Sequence, residues 1–125
     1  MNAYHFHIDP VSAPRMTQRD KFSPSKAVSR YFAFRNELKY LAYINHLEEI
    51  PGTLEAITFS IPMPASWSNK KRESMKGKPH QQTPDLDNLL KAFLDGLCSQ
   101  DNYIHCIGRL EKVWAEQGSI QLEID

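Results

Sequence analysis

The residues with most chemistry per unit length are Pro84-Asp85-Leu86-Asp87-Asn88-Leu89-Leu90-Lys91, followed by Asp95-Gly96-Leu97. Alternation along extended backbone turns the two carboxylates of an Asp-x-Asp segment the same way. From Asp87 to Leu97 the apolar spacing becomes helical. With Asp87 at zero and about 100° per residue, Leu89, Leu90, Phe93, Leu94 and Leu97 fall between about 200° and 340°. Asp87, Asn88, Lys91 and Asp95 fall between about 0° and 100°. The predicted helix therefore buries one stripe and shows two carboxylates, an amide and an amine on the other. Asp85 stands just before it, at an end where the helix dipole favours negative charge. Hard oxygen donors of this kind suit Mg²⁺, with Mn²⁺ as a substitute, and not zinc. A second reading of the same residues is structural. One Asp serves as N-cap, and Asp87 with Lys91 forms an i,i+4 pair worth roughly 0.2–0.5 kcal/mol. Taken by themselves, these residues leave both readings open.

Around this helix the chain supplies a small set of elements. Tyr4, Phe6 and Ile8 alternate with Ala3, His5 and His7, which predicts a first strand closed by Asp9-Pro10. Residues 10–22 lack periodicity and read as an exposed loop. Ser23-Pro24 is the expected N-cap and first position of a long helix. Its apolar face comprises Val28, Tyr31, Phe32, Phe34, Leu38, Leu41 and Ile44, running to about Leu47. Lys26, Arg30 and Lys39 fall on or near its other face. Leu54–Ile61 is a second strand after Pro51-Gly52. Residues 63–84 carry five Lys and Arg and almost no aliphatics, so they read as a strap that settles on an anionic partner, plain disorder being the alternative. Ile104–Trp114 and Ser119–Ile124 are expected to pair as strands, turning near Gln117-Gly118. The order implies one small α/β (α+β) domain over residues 1–125, a mixed β-sheet with two main helices packed on it.

Composition narrows the class further. The formal net charge is zero, yet residues 1–80 hold twelve Lys and Arg against seven Asp and Glu, and residues 81–125 hold three against eight. Arg15, Arg19, Lys21, Lys26, Arg30, Arg35 and Lys39 form one basic cluster. Lys70, Lys71, Arg72, Lys76 and Lys78 form the other. Basic surface with a compact acidic site fits an enzyme that grips phosphates while holding cations; uneven sorting of a solvated surface is the bland counterpart. No stretch nears the roughly 18 apolar residues of a membrane span, and MNAYHFHIDP lacks a signal-peptide pattern. The expectation is a cytoplasmic protein with no membrane partner. Cys98 and Cys106 have neither disulfide-framework nor zinc spacing and are expected to be small buried hydrophobes. His5, His7, His46, His80 and His105 form no ligand-spaced set.

Asp85-Leu86-Asp87-Asn88-Leu89, then Lys91, Asp95-Gly96-Leu97 and Asp101 three residues before Ile104, together resemble the RusA family of Holliday-junction resolvases. The resemblance extends to Ile61-Pro62-Met63-Pro64-Ala65-Ser66-Trp67-Ser68 with Lys70-Lys71-Arg72, and to Pro14-Arg15-Met16-Thr17. It implies a homodimer that binds four-way DNA junctions and nicks two strands by Mg²⁺-dependent phosphodiester hydrolysis, in recombination and repair. It also implies Asp85, Asp87 and Asp101 as metal ligands and Lys91 as an essential lysine. Arg15, Arg19, Lys21, Lys70, Lys71, Arg72, Lys76 and Lys78 are the expected DNA-binding residues. Pro84 before the first Asp, and Gln100 and Asn102 around Asp101, depart from the family's usual basic and acidic flanks. Those departures keep a rival reading open: a branched-DNA-binding module of the same fold with weakened catalysis. A phosphohydrolase of small molecules is a third reading, disfavoured by the basic clusters.

Overall fold

Leu54 and Ala56 point to one side of a strand and Ile57 and Phe59 to the other, and all four are buried. A strand apolar on both faces belongs in the middle of a sheet. In a computed structural model, which describes residues 2–21 and 23–125 and omits the side chain of Lys21, that strand is β2 (Thr53–Pro62). β2 pairs antiparallel with β4 (Ser119–Ile124), and β4 pairs antiparallel with β1 (Asn2–Phe6). On its other side β2 runs parallel to β3 (Cys106–Ala115). The order β1-β4-β2-β3 makes a mixed sheet. The expected hairpin of β3 with β4 does not form, because β2 lies between them. A parallel pair needs a crossover of a dozen or more residues, and residues 63–105 supply it. β4 keeps its expected alternation, with Ile120, Leu122 and Ile124 buried and Gln121 and Glu123 exposed.

Contacts divide the chain into two compact units. One comprises residues up to Pro10, Pro51–Thr83 and Tyr103–Asp125; the other comprises Val11–Ile50 and Pro84–Asn102. The sheet belongs to the first unit, as does the basic segment expected to be an irregular strap. Within that segment lies a helix, α2 (Asn69–Met75), capped by Ser68, whose hydroxyl accepts from Lys71 N at 3.2 Å. It buries no residue, which is why an apolar period could not reveal it. Gly77, at φ +81°, turns the chain after α2. The following residues lie along β3: Gly77 N donates to Trp114 O at 2.8 Å, Trp114 N to Lys78 O at 3.0 Å, and His80 N to Lys112 O at 3.0 Å. These bonds pair the outer edge of β3 near its C-terminal end. Trp114 and His80 are buried, with ring centroids 4.2 Å apart, and Trp67 lies 4.7 Å from Trp114.

In the second unit, a single turn of 3₁₀ helix at Gln18–Lys21 interrupts the expected loop. Asp20 organises it: its carboxylate accepts from Thr17 N at 2.9 Å, Thr17 Oγ1 at 3.1 Å and Ser25 N at 3.0 Å. The backbone donors from Thr17 and Ser25 hold the Asp20 carboxyl below its ordinary range. The long helix α1 (Lys26–Ile44) therefore starts two residues later than Pro24 suggests, with Ser25 as cap and its Oγ accepting from Val28 N at 3.2 Å. It stops at Ile44, ahead of Leu47, where Asn45 Nδ2 donates to Leu41 O at 2.7 Å and His46 adopts φ 59°. Val28, Tyr31, Phe34, Leu38 and Ala42 are buried, while Phe32 and Ile44 from the expected face are exposed. α3 (Leu86–Leu97) packs on α1, with Leu89, Ala92, Phe93, Leu94 and Gly96 buried. The contact is close: a Cβ on Gly96 would stand 2.7 Å from Leu38 Cδ2. Neither cysteine is buried: Cys98 caps α3 and is half-buried, and Cys106 opens β3 and is exposed. Among the described residues, no helix is long and apolar enough to cross a membrane.

Two predictions follow from this packing. Gly96→Val forces Leu38 from its place and should destabilise the protein by about 1–3 kcal/mol, read as a lower denaturant midpoint; an unchanged midpoint would refute the tight contact. Burial, and then the charge of Lys112, depress the pKa of His80. The unfolded chain thus takes up the proton first, so this contribution to stability is complete above about pH 6.5 and is lost as pH falls below it. The melting temperature should fall over that window in the wild type, and less steeply in His80→Phe.

Candidate active site

Asp85 takes the N-cap position of α3 with extended backbone, φ −70° and ψ 144°, yet its side chain makes no capping hydrogen bond. Its carbonyl opens the helix, accepting from Leu89 N at 3.1 Å. The carboxylate is thus placed by the helix start without being spent on it. Asp87, in the first turn, accepts from Asn88 N at 2.9 Å. The same turn is tied down on its carbonyl side, where Ala13 N donates to Asn88 O at 3.0 Å. Asp85, Asp87, Asn88 and Lys91 are all exposed, as the helical wheel requires.

One turn on, the ion pair that Lys91 makes is with Asp95 and not with Asp87: its Nζ lies 3.6 Å from Asp95 Oδ2. The same oxygen accepts a hydrogen bond from the Tyr31 hydroxyl of α1. Burial, and then the hydrogen bond and charge of Asp95, push the Tyr31 pKa up to about 12, so the phenol stays a donor throughout the working pH range. Arg35 opposes that shift; its guanidinium carbon sits 5.5 Å from the Tyr31 ring centre. Tyr31 was legible in the sequence only as a member of the apolar face. Its hydroxyl was the available clue, since a buried tyrosine usually finds a partner for its O–H.

The remaining expected residues are more scattered. Asp101 is exposed, beyond α3 and before β3. Among the described residues no group of three or more His, Cys, Asp or Glu is gathered so as to hold a metal ion, so Asp101 does not join Asp85 and Asp87 in a cluster. The donor chemistry of that pair nevertheless fits Mg²⁺, which is commonly held by one or two carboxylates together with waters and substrate phosphates. Arg15 and Arg19 are exposed in one unit, and Lys70, Lys71, Lys76 and Lys78 in the other; the side chain of Lys21 lies outside the described residues. Arg72 is held at home by Pro64 O at 2.8 Å and Glu116 at 3.0 Å. Lys71 lies over the Trp67 ring, 4.3 Å from its centre. A groove lined by Tyr43, Leu47, Ile50, Gly96 and Leu97 sits at the opposite end of α3 from the acidic turn.

The family model described as Endodeoxyribonuclease RusA matches residues 8–125. No curated protein matches the chain. The family match takes in the acidic turn, Lys91 and Asp95, the basic segment with α2, and every strand but β1, and the chain belongs to the RusA endodeoxyribonuclease family.

Proposed function

We propose that the chain resolves four-way DNA junctions as a homodimer, by divalent-cation-dependent hydrolysis of phosphodiester bonds centred on the first turn of α3. The observation that carries this reading is the pair of exposed carboxylates there, one of them a cap residue whose side chain does no capping. Asp85 and Asp87 would hold Mg²⁺, or Mn²⁺ in its place, with Asp101 a third oxygen donor carried over from the family pattern. The ion, when bound, supplies charge to polarise the scissile phosphate and lowers the pKa of water. Lys91, on the same face, places an ammonium where charge develops on the phosphate in the transition state. The Asn88 amide orients a neighbouring carboxylate. The exposed bases Arg15, Arg19, Lys70, Lys71, Lys76 and Lys78, with Lys21 from the sequence pattern, bind phosphates and read shape rather than sequence. Arg72, engaged with Glu116, serves the fold of the basic segment first and DNA second. A two-fold dimer matches the two-fold symmetry of a junction. These roles, with DNA as the partner, accord with a cytoplasmic site of action.

The competing reading is a branched-DNA-binding module without catalysis, favoured by the absence of a three-donor cluster among the described residues. A labelled four-way junction separates the two. With Mg²⁺ the wild type should release paired nicks, chelation should stop cutting, and added Mg²⁺ or Mn²⁺ should restore it. Asp87→Asn should bind the junction as tightly and cut it at least about 10²-fold more slowly. Tight binding with no cutting by either protein would establish the module. For the DNA surface, replacing Lys70, Lys76 and Lys78 together by Ala should flatten the plot of log affinity against log salt by about two to three units; an unaltered slope would remove that segment from the interface.

A further inference from the structure

We propose that Tyr31 is a positioning residue for Lys91, acting through the carboxylate of Asp95. The inference deepens the nuclease reading and rests on it. Lys91 extends into solvent, with its side chain 63% exposed. A flexible ammonium of this sort occupies many rotamers unless something restrains it. Asp95, one helical turn further on and only 22% exposed, is the restraint in reach. A carboxylate on a helix can also swing, and Tyr31 is what fixes it. Its ring is buried in the α1 face, and its hydroxyl donates to the same Oδ2 that faces Lys91. The contact of Leu38 with Gly96 holds α1 and α3 in register at this level, so the phenol reaches Asp95 from a fixed direction.

The distances suit positioning rather than storage. At 3.6 Å the Lys91–Asp95 pair is an attraction beyond normal hydrogen-bond length. Lys91 is held in place while its N–H donors are not consumed, which is what an ammonium awaiting a phosphate requires. The Tyr31 hydroxyl occupies part of the Asp95 oxygen and so tempers its hold on the lysine. On the α1 side, Arg35 lies against the Tyr31 ring, and its buried Nε has no hydrogen-bond partner among the described residues. Packing alone asks for none of this, since a phenylalanine would fill the same space.

The test is single-turnover cutting of a four-way junction by the full chain in Mg²⁺, with binding measured separately in Ca²⁺. Tyr31→Phe should lower the cutting rate about five- to tenfold and leave junction affinity unchanged. Asp95→Asn, which keeps an acceptor for Tyr31 but removes the charge, should lose a similar amount. In a Lys91→Ala background Tyr31→Phe should cost nothing further, because the group it positions has gone. Equal losses with and without Lys91, or no loss from Tyr31→Phe in the wild-type background, would overturn the proposal. A wild type that binds junctions without cutting them would show itself in the control arm and remove the nuclease reading together with the inference built on it.

Discussion

Leu38 presses against α3 where Gly96 has no side chain, and about two turns earlier on α1 Tyr31 donates to Asp95, the residue next to Gly96. This contact of α1 with α3 sets how the acidic turn is presented. Burying a leucine or phenylalanine contributes roughly 1.5–3 kcal/mol, and Leu38, Leu89 and Phe93 are fully buried. An exposed ion pair such as Lys91–Asp95 contributes at most about 1 kcal/mol. Apolar packing therefore decides the rotation of α3 about its axis. The charged residues on its outer face take the positions packing leaves them, and are available to a ligand for that reason.

The consequence for chemistry is a site whose parts are set to different degrees. Asp85 and Asp87 are placed by the start of the helix, whose dipole tolerates both. Lys91 is restrained from behind by Asp95 and Tyr31. Asp101 lies on irregular chain beyond α3 and is not gathered with the pair. A cation that prefers few protein ligands and keeps its waters and substrate phosphates is compatible with such an arrangement. A cation that demands a closed protein cage is not.

The basic segment solves a different problem. Five Lys and Arg with almost no aliphatics cannot form a core of their own, and the sequence pattern there reads as loop. Ser68 nonetheless caps a two-turn helix, Arg72 secures it to Pro64 and Glu116, and the chain beyond Gly77 runs along β3 to the buried His80 and Trp114. Positive charge is thus carried on an ordered support, which would lower the entropic cost of the phosphate binding proposed for it.

Period and charge in the chain alone were enough to identify the α3 stripe, the acidic turn with Lys91 beside it, the alternation of β1 and β4 and the existence of β2, whose burial on both faces emerged only from the structure. Each of these is a local pattern, repeating every two or 3.6 residues, and needs no knowledge of what it packs against. Tertiary structure alone decided the rest. β3 pairs with β2 and not with its sequence neighbour β4 because a central strand can satisfy two partners, and nothing in the spacing of Gln117-Gly118 tells which. α2 was hidden because a helix that buries nothing leaves no period. The start of α1 at Lys26 depends on a carboxylate five residues before its cap. At the site, sequence supplied the acids and the lysine, but the choice of Asp95 over Asp87 as partner of Lys91, and the phenol behind it, required two helices from distant parts of the chain to meet. Hydrogen bonds across such a gap are set by packing, which no local pattern encodes.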